Sequence, residues 1–101
     1  MDLQVCRAIH ADHPSLSGHF PGEPIVPGVV ILDEIADALH QCYPDAHLAG
    51  IPVVKFLAPL RPDQQFTIVL SNSEEKSDEI AFSCTSEDRI IAEGRFQIVS
   101  L

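Results

Sequence analysis

The sequence predicts an α+β fold, an antiparallel sheet wrapped around one central helix, on three observations. Apolar residues recur at helical spacing in a single stretch, from Val29 to about Cys42. After it come segments that alternate apolar and polar residues and are separated by short turns. One more alternating segment precedes the helix, so strands flank it on both sides and have a buried stripe to cover. With 101 residues, 46% of them hydrophobic, residues 1–101 form a single domain with a modest core.

Taken in order, residues 3 to 10 put Leu3, Val5 and Ile9 on one face and Gln4, Ala8 and His10 on the other, which predicts a strand. Arg7 falls on the apolar side, against that pattern. Ala11 to Gly28 reads as loop. In the helix, Val29, Leu32, Ile35, Ala36 and Leu39 form the stripe, and Ile31 and Ala38 widen it, so burial on most sides is expected. Asp33, Asp37 and His40 share a polar strip, Glu34 points elsewhere, and Tyr43-Pro44-Asp45 ends the helix. His47 to Ala58 is extended, with Pro52 favouring an edge or a bulge. Leu60-Arg61-Pro62-Asp63 is a turn. Phe66, Ile68 and Leu70 alternate with polar or small residues, as do Ile80, Phe82 and Cys84 after a charged loop from Asn72 to Asp78. Ser86-Glu87-Asp88 then turns into a last strand, Arg89 to Val99. Short connections predict a meander of antiparallel neighbours after the helix.

The composition excludes several classes of function. Fifteen acidic residues against six basic give a formal charge of −9, so nucleic acid is not an expected partner, since phosphate neutralisation needs clustered Lys and Arg. No apolar run approaches a membrane span, and Met1-Asp2-Leu3-Gln4 lacks the basic and apolar regions of a signal peptide. A soluble, cytoplasmic protein with no membrane partner is the expectation. Cys6, Cys42 and Cys84 are odd in number and lack C-x-x-C spacing, which predicts buried or inert thiols rather than a disulfide framework or structural zinc.

The chemistry concentrates in Gly18 to Asp33. Pro21, Pro24 and Pro27 stiffen this segment, and Pro27-Gly28 opens the helix with free N–H groups facing back at the loop. His19 sits in the stiffened loop and could take a proton next to a carbonyl. It reads equally well as a loop histidine bonded to its neighbours, and His10, His13, His40 and His47 have similar claims. Asp33, near the positive end of the helix, could act on a departing hydroxyl or simply belong to the solvated strip. Asp33, Asp37 and His40 could also be metal ligands, but no further cluster supports them. The Gly28 N–H could bond an oxyanion, or the glycine could serve only to let the loop enter the helix.

His19-Phe20-Pro21-Gly22-Glu23-Pro24-Ile25-Val26-Pro27-Gly28-Val29 resembles the signature of the bacterial 3-hydroxyacyl-acyl carrier protein dehydratases, which have the hotdog fold. Val54 to Asp63 is similar to the family's second strand and turn. The resemblance implies His19 as the base on the α-carbon and Asp33 as the acid. It implies Gly28, with Val29 beside it, as the position that binds the thioester oxygen. It also implies dehydration of a 3-hydroxyacyl thioester on acyl carrier protein, or on coenzyme A, to the 2-enoyl thioester, in fatty acid or polyketide-type biosynthesis and without cofactor or metal.

A homodimer is expected, with His19 of one chain facing Asp33 of the other, or else a heterodimer with a related subunit or a higher oligomer. Asp37 stands where the family usually has glutamine, adding a second negative charge. Beginning near the first strand, the chain looks more like the compact dehydratase-like proteins of aryl polyene and related polyketide-type pathways. A carrier docking site on this acidic chain must draw on Arg7, Lys55, Arg61, Lys76, Arg89 and Arg95. Two other functions fit the same residues: an acyl thioesterase of the same fold, and a non-catalytic dehydratase-like partner subunit.

Overall fold

The computed structural model describes residues 2–10, 25–72 and 78–100. Its elements are β1 (Asp2–Arg7), α1 (Gly28–Cys42), β2 (Ala46–Phe56), β3 (Phe66–Asn72), β4 (Glu79–Ser86) and β5 (Arg89–Ser100). The strands form one sheet in the order β1-β3-β4-β5-β2, antiparallel at every pairing.

Where the period-2 pattern is cleanest, the strands form as expected. Phe66, Ile68 and Leu70 of β3 turn inward, and Ile68 lies opposite Cys84 and Leu70 opposite Phe82 on β4. The β4–β5 connection is a two-residue turn in which Glu87 and Asp88 have φ of 50° and 64°. Two central residues at positive φ match the right-handed twist of a hairpin's strands.

The expected meander is corrected at β2, which does not lie beside β3. It closes the far edge of the sheet against β5, with Val54 opposite Gly94 and Phe56 opposite Ala92. The connection to β3 therefore crosses the fold, tied by hydrogen bonds from the Val26 N–H to the Leu60 carbonyl (2.8 Å) and from the Asp63 N–H to the Ile9 carbonyl (2.7 Å). Pro52 sits on this edge strand within a register shift between Gly50 and Val53, so its missing N–H breaks no regular ladder. A Cβ at Gly94 would run into the Val53 carbonyl oxygen; glycine there lets β2 and β5 approach closely.

The helix lies on the sheet through Val30, Ile31, Ile35, Ala38 and Leu39, with Ile35, Ala38 and Leu39 wholly buried. They meet Phe66, Ile68, Leu70, Ile80, Phe82 and Phe96 in one apolar core, where the Phe82 and Phe96 rings lie 4.6 Å apart. Burial on most sides of the helix is not observed: Val29 is 65% exposed, and Asp33, Asp37 and His40 face solvent. The sheet covers one face, and the apolar stripe continues past it through half-buried Leu32 and Ala36 to exposed Val29. Tyr43 ends the helix, its N–H donating to the Leu39 carbonyl at 2.8 Å. The start lies one residue before the expected Val29, at Gly28. Among the described residues no helix is long and apolar enough to cross a membrane.

Of the thiols, Cys84 is buried and Cys42 half-buried, but Cys6 is exposed, on the outward register of β1. Burial pushes the Cys84 thiol up to about 11.

Candidate functional site

The start of α1 carries the site's backbone chemistry. Pro27, at φ −60° and ψ 145°, holds the chain extended up to the first helical residue, and no side chain among the described residues caps the helix. The first turn closes through Val30 and Ile31, whose N–H groups donate to the Pro27 carbonyl at 3.0 and 3.3 Å. The N–H groups of Gly28 and Val29 have no hydrogen-bond partner among the described residues. Nor does an acidic side chain in the first turn neutralise the positive end of the helix dipole.

Gly28 needs its missing side chain for a reason other than backbone freedom. A Cβ there would lie 2.9 Å from Cζ of Phe56, so the tip of the ring abuts the helix's first turn. Beside it opens an apolar cavity of about 450 Å³, lined by Ile25, Val26, Gly28, Ile31, Phe56, Leu57, Ala58, Pro59 and Leu60. That size suits a small acyl ligand. Two other clefts, of about 790 and 640 Å³, are more polar and contain none of Gly28, Val29 or Asp33. Ile25, Phe56 and Leu57 are 37%, 47% and 54% exposed, so the cavity's rim is an apolar surface open on this chain.

Asp33 follows Gly28 by about one and a half turns, roughly 7.5 Å along the axis. It is exposed, has no ion pair or hydrogen-bonding partner among the described residues, and is not part of the cavity wall. Val29, about 40° from it around the helix, is exposed on the same side. One chain thus joins Gly28 to the cavity and directs Asp33 and Val29 outward. His19 lies outside the described residues.

Electrostatically, the polar strip is divided. Arg7 comes in from β1 and donates to Glu34 at 2.8 Å, to Asp37 at 2.6 Å and to Gln41 at 2.7 Å. Glu34, although off the polar strip, is therefore ion-paired, and it shares the single positive charge of Arg7 with Asp37. The Glu34 hydrogen bond, with that of Asp37, raises the Arg7 guanidinium further above its ordinary value, against desolvation. The placement of Arg7 on the inward register of β1 is explained: its partners are helix residues, not core atoms. A sequence signal for it existed in Glu34, Asp37 and Gln41, spaced i, i+3 and i+7 on one helix edge. Asp33, Asp37 and His40 do not form a ligand group; among the described residues no cluster of three or more His, Cys, Asp or Glu could hold a metal. Of the cations considered for docking, Arg7 is committed to α1 and Arg95 lies 3.9 Å from Glu79. Lys76 lies outside the described residues.

Comparison with known proteins agrees with this architecture. The family model described as ApeI-like, ApeI dehydratase, matches residues 2–95. The 3-hydroxyacyl-[acyl-carrier-protein] dehydratase FabZ of Haemophilus influenzae is 35% identical over 75 residues, covering 65% of this chain and 51% of that protein. FabZ of Desulfotalea psychrophila is 33% identical over 88 residues, covering 75% of this chain and 59% of that protein. The chain thus spans between half and three fifths of the length of these relatives.

Among solved structures, the dehydratase heterocomplex ApeI:P from Xenorhabdus doucetiae superposes with a TM-score of 0.81 at 23% identity, covering 96% of this chain and 86% of that one. The R-hydratase PhaJ1 from Pseudomonas aeruginosa gives 0.79 at 14% identity, covering 99% and 79%. The shared architecture is the hotdog fold, as the motif implied.

Proposed function

The chain belongs to the ApeI-like dehydratase family, and on that premise we propose that it removes water from a 3-hydroxyacyl thioester to give the 2-enoyl thioester. The observation that carries the proposal is the start of α1: two N–H groups, at Gly28 and Val29, without a partner among the described residues, beside an apolar cavity of about 450 Å³. The acyl group lies in the cavity, and its carbonyl oxygen accepts from the Gly28 N–H with Val29 adjoining. Negative charge develops on that oxygen when the α-proton leaves, and preoriented donors in an apolar setting stabilise it far better than water would. His19 takes the α-proton. The electrons of that C–H bond form the α–β double bond as the β-carbon–oxygen bond breaks, and Asp33 delivers a proton to the departing hydroxyl, which leaves as water.

Because Asp33 and Val29 face outward while Gly28 faces the cavity, the working unit is a dimer in which a second protomer supplies the missing wall. His19 of one chain then meets Asp33 of the other. The exposed side chains Val29, Phe56 and Leu57 and the free edge of β2 support this reading. The partner is a second copy or a related subunit, the latter in keeping with the ApeI:P heterocomplex. The acyl group is carried on acyl carrier protein or coenzyme A, in fatty acid or polyketide-type biosynthesis. The protein works in the cytoplasm, where its free thiols Cys6, Cys42 and Cys84 stay reduced.

Incubation with 3-hydroxyacyl thioesters tests the proposal. Enoyl thioester from wild type, and a loss of at least a hundredfold in Asp33→Asn, is the expected result. Free acid as the product would identify a thioesterase instead. No product of either kind, with unchanged flux in a pathway carrying the variant, would identify a non-catalytic subunit.

A further inference from the structure

We propose that Arg7 is a positioning residue for Asp33: by binding three acceptors on α1, it fixes the rotation and axial placement of the helix that presents the carboxylate. The inference rests on the dehydratase reading for Asp33 but on separate observations for Arg7.

The helix's buried face, Val30, Ile31, Ile35, Ala38 and Leu39, is entirely apolar. Apolar contact holds a helix against a sheet without fixing its rotation by direction-dependent bonds. Arg7 provides that direction. Its planar guanidinium reaches Glu34 (2.8 Å), Asp37 (2.6 Å) and Gln41 (2.7 Å), acceptors spread over two turns of one helix edge. The Arg7 side chain as a whole is 18% exposed; its bond to Glu34 is partly buried, while those to Asp37 and Gln41 lie at the surface.

Its strand is held in turn by β3, with Arg7 itself opposite Phe66. Asp33 immediately precedes Glu34 and lies one turn before Asp37, so it moves with the edge that Arg7 grips. A carboxyl group about 6 Å from the helix axis moves by about 1 Å when the helix turns by about 10°. Displacements of that size can slow a reaction by about a hundredfold. Charge acts in the same direction, because Glu34 and Asp37 share the single positive charge of Arg7, whereas Asp33 has no ion pair among the described residues. On α1 the charged groups and histidine next to Asp33 in sequence are Glu34, Asp37 and His40; among the described strands packed against the helix, β1 brings Arg7 to it, β2 carries His47 and Lys55, and β3 carries no charged residue or histidine. Neither His47 nor Lys55 pairs with the helix carboxylates among the described residues.

The test combines kinetics with a structural readout on the intact protein. Arg7→Met should lower kcat for dehydration about ten- to a hundredfold well below its unfolding temperature, with KM within about twofold. Arg7→Lys, a point charge unable to bridge three acceptors, should recover part of the loss and serves where Arg7→Met does not fold. In an Asp33→Asn background, Arg7→Met should cause no further loss, since it acts through that carboxyl. Equal losses in both backgrounds would overturn the proposal and leave Arg7 a stability residue. Residual dipolar couplings of the α1 amides, which need no activity, should show the helix reoriented relative to β3–β5 in the folded variant. An unchanged helix orientation would overturn the proposal even if the protein proved not to be a dehydratase. Wild-type inactivity combined with a reoriented helix would instead sink the dehydratase reading and leave the Arg7 restraint standing.

Discussion

The two faces of α1 are held in opposite ways. Toward the sheet, Ile35, Ala38 and Leu39 have no exposure at all and pack against strands whose alternation leaves no choice of register. On the other side, Val29 is 65% exposed, and the rim residues Phe56 and Leu57 are about half exposed. The first face shows what fixes the fold. The second is an exposed apolar rim beside N–H donors that have no partner among the described residues, the kind of surface that marks an interaction site. Fold and activity should therefore break separately when the two faces are mutated.

The largest expected effect falls on the open face. If Asp33 acts as the proposed acid, Asp33→Asn should reduce dehydration at least a hundredfold, while thermal unfolding moves little because the side chain is exposed and has no ion pair among the described residues. A matching drop in melting temperature would break the comparison.

The buried face should show the reverse. Ile35→Ala should cost about 3 kcal/mol, a large part of a small domain's stability, measurable by urea unfolding. Activity per folded molecule should remain.

Gly28→Ala is smaller and falls on the boundary. The new methyl group, 2.9 Å from the Phe56 ring, must push the ring aside. A rate loss of about tenfold is expected from the disturbed donor site, with partial recovery when Phe56 is also reduced to Leu. Recovery by the second change would show that the loss comes from the ring contact, whereas none would place it in the helix start itself.

The last effect is absent at neutral pH and appears only on titration. The Cys84 thiol stands at about 11 in the folded chain against an ordinary 9.0, so folding favours its protonated form. That contribution is complete below pH 9.0 and is lost as pH rises toward about 11, so unfolding midpoints should fall across that window and fall less in Cys84→Ala. Below it, a thiol reagent should label exposed Cys6 quickly and Cys84 only as the chain unfolds.

Most of the fold was legible because its elements obey short-range rules. The alternation at Phe66, Ile68 and Leu70, and at Ile80, Phe82 and Cys84, fixes strands and inward faces together. Pro27-Gly28 marks the helix start to within one residue. The place of β2 was not legible, because its partner, β5, is decided by Val54 meeting Gly94 across a chain separation that no local pattern encodes. The site divided in the same way. Gly28 follows from a proline–glycine helix start, whereas Arg7 looked like a fault in a strand until its three helix partners were in view. Phe56 read as one more apolar strand residue. Its role over Gly28 depends on a contact between the end of β2 and the start of α1.

The most direct test offers a 3-hydroxyacyl-carrier thioester to wild type and to His19→Ala, with folding of the variant checked by circular dichroism. The prediction is 2-enoyl thioester from wild type and a loss of at least a hundredfold in the variant. Enoyl product at the wild-type rate from His19→Ala, or free acid from either protein, would contradict it.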